Sequence, residues 1–315
     1  MKKSCCLPAN QNLNQHRTKA SVLQAKASEP RKLNRMILLP GGTYDMGSAF
    51  DDGFPEDFET PIKTVTVSPF YIDAYAVSNA EFREFATDTG YVTDAETFGW
   101  SYVFHLFLPN SVKAACQSPR QTPWWFAVPG AYWAHPEGPQ SSIDGRENHP
   151  VVHISWNDAN AYCQWAGKRL PTETEWEYAA RGGLVRKRYP WGNELLKDGI
   201  HQCNIWQGRF PFENTEDDGF IGTAPVDSFA PNNFGLYNTS GNVWEWCQNN
   251  FHDKFANPVA SSHFMLHAQT YKAIRGGSYL CHDSYCNRYR VAARSANTIE
   301  SSSGNMGFRC AASIN

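Results

Sequence analysis

Two cysteines five residues apart, Cys281 and Cys286, are the side chains of this sequence best suited to nucleophilic or soft-metal chemistry. They lie in a polar, basic and aromatic segment, residues 275–290, and neighbouring Arg and His side chains lower the pKa of a thiol. An accessible thiol of low pKa acts as a nucleophile or as a ligand for a soft metal. The spacing alone equally allows a structural disulfide or two inert core thiols.

The spacing of this pair does not fit a zinc knuckle, which needs cysteines about two to four apart and a second ligand pair downstream. Two thiolates alone suit a cation that accepts two-coordinate sulfur ligation, and Cu(I) is the leading candidate. The nine cysteines are too few to build a disulfide scaffold in a chain of 315 residues. Because nine is an odd number, at least one thiol must be free or reactive.

Oxygen ligands for a harder cation occur in two further segments, one with Asn204 followed by residues 216–220 and the other at residues 238–245. Both mix side-chain oxygens with glycine-kinked backbone, but neither matches the EF-hand register. Composition alone therefore favours ordinary surface turns over calcium sites.

Two histidine pairs also lack a third ligand on a shared face and are predicted to be polar or packing residues. They are His149 with His153, and His263 with His267.

Capping boxes predict where three helices begin. The pairs are Ser78 with Glu81, Ser155 with Asp158, and Thr172 with Glu175. Glycines that can adopt a left-handed conformation follow each segment, so the helices are predicted at residues 79–87, 156–166 and 173–181. Strands are predicted at residues 36–39, 43–47 and 64–67, and short strands separated by turn residues follow residue 189.

Composition indicates what holds these elements together. Charged residues make up only 19% of the chain, whereas aromatic residues make up 14% and include eleven Trp, with 23 Gly and 19 Pro. This mixture predicts a loop-rich globule stabilised by buried aromatic rings. Residues 36–315 are accordingly predicted to form one α+β domain with little regular secondary structure.

Charge is distributed unevenly along the chain. Residues 1–35 hold eight Lys or Arg and one acidic residue, which leaves 20 basic and 30 acidic residues for the remainder. The acidic body argues against a nucleic-acid-binding core, and the polar arm, poor in apolar residues, is predicted to be mobile. No apolar stretch is long enough for a signal sequence or a membrane span, so a cytoplasmic location is expected if the source is bacterial.

Six short motifs resemble, in order, the signature of the sulfatase-modifying-factor family. They are LPTETEWEYAARGG at residues 170–183, YPWG at 189–192, GLYN at 235–238, GNVWEW at 241–246, RGGS at 275–278 and GFR at 307–309. The resemblance covers nearly everything after residue 36. It implies a variant of the C-type-lectin architecture with low regular structure.

The block from Gly276 to Cys310, with its two cysteines, is similar to the formylglycine-generating branch of that family. The resemblance implies an oxidoreductase that converts a cysteine in a Cys-X-Pro-X-Arg segment of an unfolded sulfatase polypeptide to Cα-formylglycine. Cu(I) would be held by Cys281 and Cys286, a substrate cysteine would supply a third sulfur ligand, and dioxygen would be the co-substrate. Ser278 would belong to the same catalytic centre.

The resemblance also implies binding residues. Trp124, Arg294 and Asn305 would bind the substrate, although Trp124 could simply pack and Arg294 could be a structural donor. One calcium site would use Asn204, the Ile205 carbonyl, Asp218 and the Phe220 carbonyl. A second would use Asn238, Gly241, Val243 and Glu245. Family members often pair the cysteines that match Cys163 and Cys310, and Trp100 stands where some relatives carry an acid for the substrate arginine.

Two other functions remain open at this point. One is a lectin-like binding or accessory module of the same fold, in which the cysteines are structural. The other, less favoured, is an iron-dependent sulfoxide synthase, for which residues 1–35 are too short to supply the additional helical domain and the ligand set His-x-x-x-His-x-Glu is absent from the sequence. A monomer without nucleic-acid or membrane partners is favoured.

Overall fold

The helices begin at the side chains that the capping signals indicate. The structure is a computed structural model that describes residues 8, 35–251 and 271–314. All three predicted capping boxes are formed, and a fourth, between Thr93 and Glu96, begins a helix that the sequence analysis missed. The helices are α1 Asn79–Thr89, α2 Asp94–Phe98, α3 Asn110–Ala115, α4 Trp156–Trp165 and α5 Glu173–Arg181.

The strands are short and fall into several small sheets. They are β1 Met36–Leu39, β2 Gly42–Met46, β3 Lys63–Val67, β4 Phe70–Asp73, β5 Trp100–Phe104, β6 Trp125–Pro129, β7 Leu196–Lys197, β8 Ile200–His201, β9 Gly208–Arg209, β10 Glu213–Asn214, β11 Trp244–Asn250, β12 Tyr271–Arg275, β13 Ser295–Thr298, β14 Met306–Gly307 and β15 Ala311–Ser313. The largest sheet has the order β13-β12-β11-β14, and only its β11–β14 pairing is parallel. A second sheet has the order β1-β4-β15. The three strands predicted before residue 70 are confirmed.

Buried aromatic rings fill the core, as composition predicts. Five tryptophans are at most 1% exposed: Trp125, Trp176, Trp206, Trp244 and Trp246. Buried arginine–carboxylate pairs tie the loops to this core, and no local sequence pattern predicts these pairs. The pairs include Arg275 with Glu177, Arg288 with Asp57, Arg290 with Glu59, Arg294 with Glu173 and Arg309 with Glu245.

Several predictions concern residues that the structure does not describe. The basic arm lies outside the described residues except for Pro8 and Arg35, and the Pro8 carbonyl accepts a hydrogen bond from Asn297 Nδ2 at 3.1 Å. Mobility of the arm therefore stays a prediction. His263 and His267 also lie outside the described residues. Where the structure describes the chain, it contains no helix with the length and apolar character needed to cross a bilayer.

Candidate active site

The two cysteines lie on the connection between β12 and β13, which folds back on itself. The connection leaves β12 through Gly276 and Gly277, both with positive φ. A Cβ atom on Gly277 would lie 2.8 Å from the Arg288 carbonyl oxygen, so only glycine allows the two ends of this loop to approach so closely. This close approach holds residues 278–287 together as one compact loop.

Both cysteine side chains are fully buried, and neither is part of a disulfide. The Ser278 backbone N–H donates to Cys281 Sγ at 3.4 Å, and the Cys286 N–H donates to the His282 carbonyl at 2.8 Å. The Cys281 carbonyl in turn accepts a hydrogen bond from the Trp206 N–H at 3.1 Å. The two thiols therefore share one apolar cluster, and backbone hydrogen bonds on either side hold their loop in place.

Ser278 and Asn305, which sequence reasoning placed at the site, are joined directly. Asn305 Nδ2 donates to Ser278 Oγ at 3.0 Å, and Asn305 Oδ1 accepts from Ser303 Oγ at 2.8 Å. Ser278 Oγ also accepts the Leu280 N–H at 3.3 Å. All three polar side chains are buried, so this chain of hydrogen bonds fixes the Ser278 hydroxyl beside the Cys281 backbone.

Three aromatic rings form a wall beside Cys286. The Tyr285 ring lies 5.0 Å from the Trp124 ring, edge to face, and 5.0 Å from the Phe210 ring, to which it is stacked. Trp124 and Phe210 also meet edge to face at 5.2 Å. The Trp124 indole N–H is buried and makes no hydrogen bond within the described residues. Trp124 therefore packs into this wall while keeping one free donor.

Two basic neighbours of the cysteines, Arg288 and Arg290, are each paired with a carboxylate. Arg288 forms an ion pair with Asp57 and Arg290 one with Glu59, and all four side chains are buried. Burial raises the pKa of Asp57 to about 6, even though its Arg288 partner lowers that pKa. An effect of these arginines on the thiols therefore stays a prediction. The charges of these arginines are neutralised by carboxylates some 230 positions away in the sequence, and residues so far apart give no local signal of their pairing.

Arg294 lies in a different environment from the cysteine loop. Its guanidinium group makes two 2.7 Å hydrogen bonds to Glu173 at the start of α5, and further bonds to the Asp57 and Phe251 carbonyls. The side chain is 2% exposed. These contacts make Arg294 a structural donor that ties β13 to α5, and its role in substrate binding stays a prediction.

The first predicted calcium set contains an unsatisfied buried oxygen. Asn204 Oδ1 is buried without a hydrogen-bond partner among the described residues, although its Nδ2 donates to the Gly222 carbonyl at 2.8 Å. Burial raises the pKa of Asp218, whose carboxylate accepts hydrogen bonds from the neutral donors Gln207 Nε2, Ile205 N–H and Phe220 N–H. An unpaired amide oxygen beside a carboxylate with neutral partners fits a hard cation.

The second predicted set fits less completely. Asn238 Oδ1 is also buried without a partner in the described part of the chain. The Glu245 carboxylate, however, already accepts hydrogen bonds from Arg309 and from Trp176 Nε1, all at 2.7 Å. Gly241 and Val243 would contribute only backbone. Across the described ranges, no three His, Cys, Asp or Glu side chains are grouped to hold a metal, so both calcium sets and the copper pair stay predictions.

The second cysteine pair is close together but reduced. The Cys163 and Cys310 sulfur atoms lie 3.4 Å apart in the core, and both residues are free thiols. A disulfide has a sulfur–sulfur distance near ~2.05 Å, so the two thiols are in contact without a covalent bond. The contact joins α4 to the chain just before β15.

Several residues of the site carried no signal that sequence reasoning used. Phe210 lies in a loop without a motif, and Tyr279 and Tyr285 were noted only as aromatic neighbours of the cysteines. Ser303 was one serine in a run of three. The Gly276-Gly277 pair offered a signal, because two consecutive glycines often mark a turn with positive φ.

Comparison with known proteins agrees with this geometry. The family model for the sulfatase-modifying factor enzyme 1-like domain matches residues 22–314. The chain belongs to that family. Its α+β, loop-rich fold is thereby confirmed as the sulfatase-modifying-factor fold.

Two relatives and one solved structure show how similar the sequence and the fold are to those of known proteins. A formylglycine-generating enzyme of Thermomonospora curvata is 57% identical over 88% of this chain and 93% of its own length. A protein of Bos taurus named inactive C-alpha-formylglycine-generating enzyme 2 is 45% identical over 88% of this chain and 87% of its own. The solved structure of PvdO from Pseudomonas aeruginosa aligns with a TM-score of 0.61 over 89% of this chain and 94% of that one. At 24% identity, PvdO shows the fold alone.

Proposed function

We propose that this protein oxidises a cysteine in a Cys-X-Pro-X-Arg segment of a sulfatase polypeptide to Cα-formylglycine, with dioxygen as oxidant and Cu(I) held by Cys281 and Cys286. The observation that carries the proposal is a pair of buried cysteines outside any disulfide, on one loop and in one apolar cluster, beside a fixed Ser278–Asn305 hydrogen bond. The 57% identity to a protein named formylglycine-generating enzyme supports the same reaction.

The reaction changes only the end of the substrate side chain. The CH₂–SH group loses two electrons and two protons as its C–H and S–H bonds break, and dioxygen takes up both electrons and both protons to give hydrogen peroxide. The thioaldehyde that results takes up water and releases hydrogen sulfide to leave the aldehyde. Bound Cu(I) would supply the one-electron chemistry that lets dioxygen react with a thiol.

The chain's own residues hold the reacting groups and keep bulk water from them. Cys281 and Cys286 are both 0% exposed, so the sulfur ligands lie in a low-dielectric pocket. The Ser278 N–H directed at Cys281 Sγ can stabilise a charged sulfur, because hydrogen bonds to ionised acceptors are stronger than neutral ones. The Ser278 hydroxyl, fixed by Asn305, is a donor and acceptor that can meet the substrate thiol group.

The aromatic wall is suited to an extended peptide. Trp124 offers a half-buried aromatic ring and a buried N–H without a partner among the described residues, and an extended peptide has unpaired backbone carbonyls. A cysteine packed in the core of a folded sulfatase could not reach two buried thiols without local unfolding. We therefore expect the substrate to be an unfolded chain.

The deciding experiment is conversion of a short Cys-X-Pro-X-Arg peptide by purified protein loaded with Cu(I), with the aldehyde product detected by mass spectrometry after hydrazide capture. An aldehyde formed only with dioxygen and Cu(I) is the expected result. Its absence from loaded, aerobic protein would reject the proposal. The same segment inside a natively folded, unmodified sulfatase should react more slowly than the peptide, and equal rates would reject the unfolded substrate.

A second function is favoured by the 45% identity to the protein named inactive. In that case the fold would bind a polypeptide without oxidising it, and Cys281 and Cys286 would be structural thiols. Peptide binding without aldehyde, together with no Cu(I) bound under anaerobic titration, would support this accessory role.

A further inference from the structure

The segment Ser302 to Asn305 lies between the cysteine loop and a buried histidine. On the side of the cysteine loop, Asn305 Nδ2 donates to Ser278 Oγ at 3.0 Å, and the Tyr279 hydroxyl donates to the Gly304 carbonyl at 3.0 Å. The segment is thus bonded to two consecutive residues of the loop that carries Cys281. A shift of the segment would move the Ser278 side chain.

His153 and Ser101 hold the opposite side of the segment. The His153 backbone N–H donates to the Ser303 carbonyl at 2.9 Å. Its ring Nδ1 is hydrogen-bonded to Ser101 Oγ at 2.8 Å, and Ser101 Oγ is hydrogen-bonded to Ser302 Oγ at 2.7 Å. The ring also lies against Gly304, where a Cβ atom would be 3.4 Å from Nε2. His153 thus contacts Ser303 through its backbone and Gly304 through its ring, and it reaches Ser302 through Ser101.

The conformation of His153 is costly, which argues against an incidental packing role. It has a φ of +60°, in the left-handed region that only a few per cent of non-glycine residues adopt, His, Asn and Asp more often than the rest. The side chain is 0% exposed, and its Nε2 makes no hydrogen bond within the described residues. Burial lowers the pKa of the ring to about 4, so the imidazole is neutral in the physiological range. Strained, buried polar residues that persist are typical of functional sites.

We propose that His153 is a positioning residue for the cysteine site, acting through Ser101 and the Ser302–Asn305 segment on the Ser278 hydroxyl and the Cys281 sulfur. The inference rests on the proposed function for its chemistry, but the network itself is a property of this chain. None of these contacts involves a predicted metal ligand directly. Removing them should therefore change the placement of reacting groups and leave the peptide-binding wall of Trp124 and Tyr285 intact.

The test uses Ser101→Ala, His153→Ala and His153→Asn, with His149→Asn as the matched control. Ser101→Ala removes the hydroxyl that bridges His153 and Ser302. Asn at position 153 tolerates a positive φ and places an amide near the position of Nδ1. His149 is a half-buried histidine four residues away, and its Nδ1 is hydrogen-bonded to Thr223 Oγ1 at 2.9 Å, outside the network.

The expected result is a difference between kcat and KM. In Ser101→Ala and His153→Ala, kcat should fall roughly tenfold or more while KM changes less than about twofold, because misplaced reacting groups affect the chemical step. His153→Asn should recover most of the turnover lost in His153→Ala, and His149→Asn should match wild type. Anaerobic Cu(I) affinity, measured by competition with a chromogenic chelator, should also weaken roughly tenfold in Ser101→Ala.

Folding losses are separated by melting temperature, recorded for every variant. A purely structural role predicts unchanged kcat and Cu(I) affinity for any variant folded at the assay temperature, and that outcome overturns the proposal. If Ser101→Ala does not fold, the two His153 variants decide the question. A higher kcat for His153→Asn than for His153→Ala supports the proposal, and equal kcat values overturn it. Absence of turnover in wild-type protein instead rejects the proposed function, and the Cu(I) affinities of the same variants then decide the role of the network.

Discussion

Cys281 differs from three other buried cysteines in the contact that its sulfur makes. Burial raises the pKa of Cys203, Cys247 and Cys310 above the ordinary value, which disfavours their thiolate forms. The Cys281 sulfur accepts a hydrogen bond from a backbone N–H. The chemistry should therefore belong to the pair on the loop and not to buried cysteine in general.

Cys281→Ser and Cys286→Ser should each lower turnover by more than about a hundredfold, because each removes one of the two proposed sulfur ligands. Cys203→Ser is the matched control, since Cys203 is a 2%-exposed thiol of the same apolar cluster. It should keep turnover within about threefold of wild type. Turnover is measured by aldehyde formation on folded protein, and a fully active Cys281→Ser enzyme would contradict the assignment.

His153 should impose a pH dependence on stability. Because burial lowers its folded pKa to about 4 from the ordinary value of 6.5, the unfolded chain binds a proton more readily than the folded one. The stabilising contribution is complete above about pH 6.5 and is lost as the pH falls toward 4, by up to about 3 kcal/mol. Glu137 and Arg146 are the charged groups that act on the ring, in opposite directions.

The measurement is urea unfolding of wild type and His153→Asn between pH 7 and pH 4. The mutant should lose less free energy of unfolding over that range, because Asn does not titrate. Carboxylates with raised pKa, such as Asp57, act in the opposite sense in both proteins and so cancel in the difference. Parallel pH profiles would contradict the burial of a neutral imidazole.

Sequence reasoning succeeded for residues whose chemistry is local and failed for those defined by distant partners. Cys281, Ser278 and Asn305 were identified and are brought together in space. The partners of Arg288 and Arg290 were missed, because Asp57 and Glu59 lie in an irregular segment with no periodic signal. His153 was predicted to be an ordinary polar or packing residue, since its φ and its bond to Ser101 depend on the assembled fold.

At the scale of elements, the helix boundaries were predictable because each capping box is a contact within four consecutive residues. α5 was predicted at residues 173–181 and is found there, and α1 and α4 differ only at their C-terminal ends. The sheets could not be predicted in the same way, because β15 pairs with β4 and β14 with β11 across long stretches of chain. Such pairings depend on packing rather than on local pattern.

The β12–β13 connection depends on glycine at its start. Gly277→Ala should lower the free energy of unfolding by more than the matched variant Gly90→Ala. Both glycines have positive φ, but a Cβ on Gly90 would meet nothing within 4 Å, whereas one on Gly277 would meet the Arg288 backbone. Gly90→Ala should cost about 1–2 kcal/mol from conformation alone. Equal losses for the two variants in chemical denaturation would contradict the close approach.

At the scale of the whole molecule, a loop-rich domain is expected to gain stability from bound ions. Calcium added to metal-stripped protein should raise the melting temperature, because Asn204 Oδ1 and Asn238 Oδ1 are buried without partners. At about 100 times its dissociation constant, one ion stabilises the folded state by about 2.7 kcal/mol. Asn204→Ala should reduce the calcium response, and the exposed Asn148→Ala, whose Nδ2 donates to Asp227, should not. A melting temperature indifferent to calcium and chelator would contradict both ligand sets.

The pairing of β15 with β4 has a consequence for synthesis. β4 lies in the middle of its sheet, between β1 and β15, so its second edge is open until Ala311–Ser313 arrives. The same stretch brings Arg309 to Glu245 and Asn305 to Ser278. A ribosome delivers this stretch after nearly every other part of the fold, and its exit tunnel encloses the newest residues. Until translation has passed these residues, the nascent chain therefore has an exposed strand edge and lacks the Asn305 contact to the cysteine loop. Chaperones that cover strand edges should matter most during that interval.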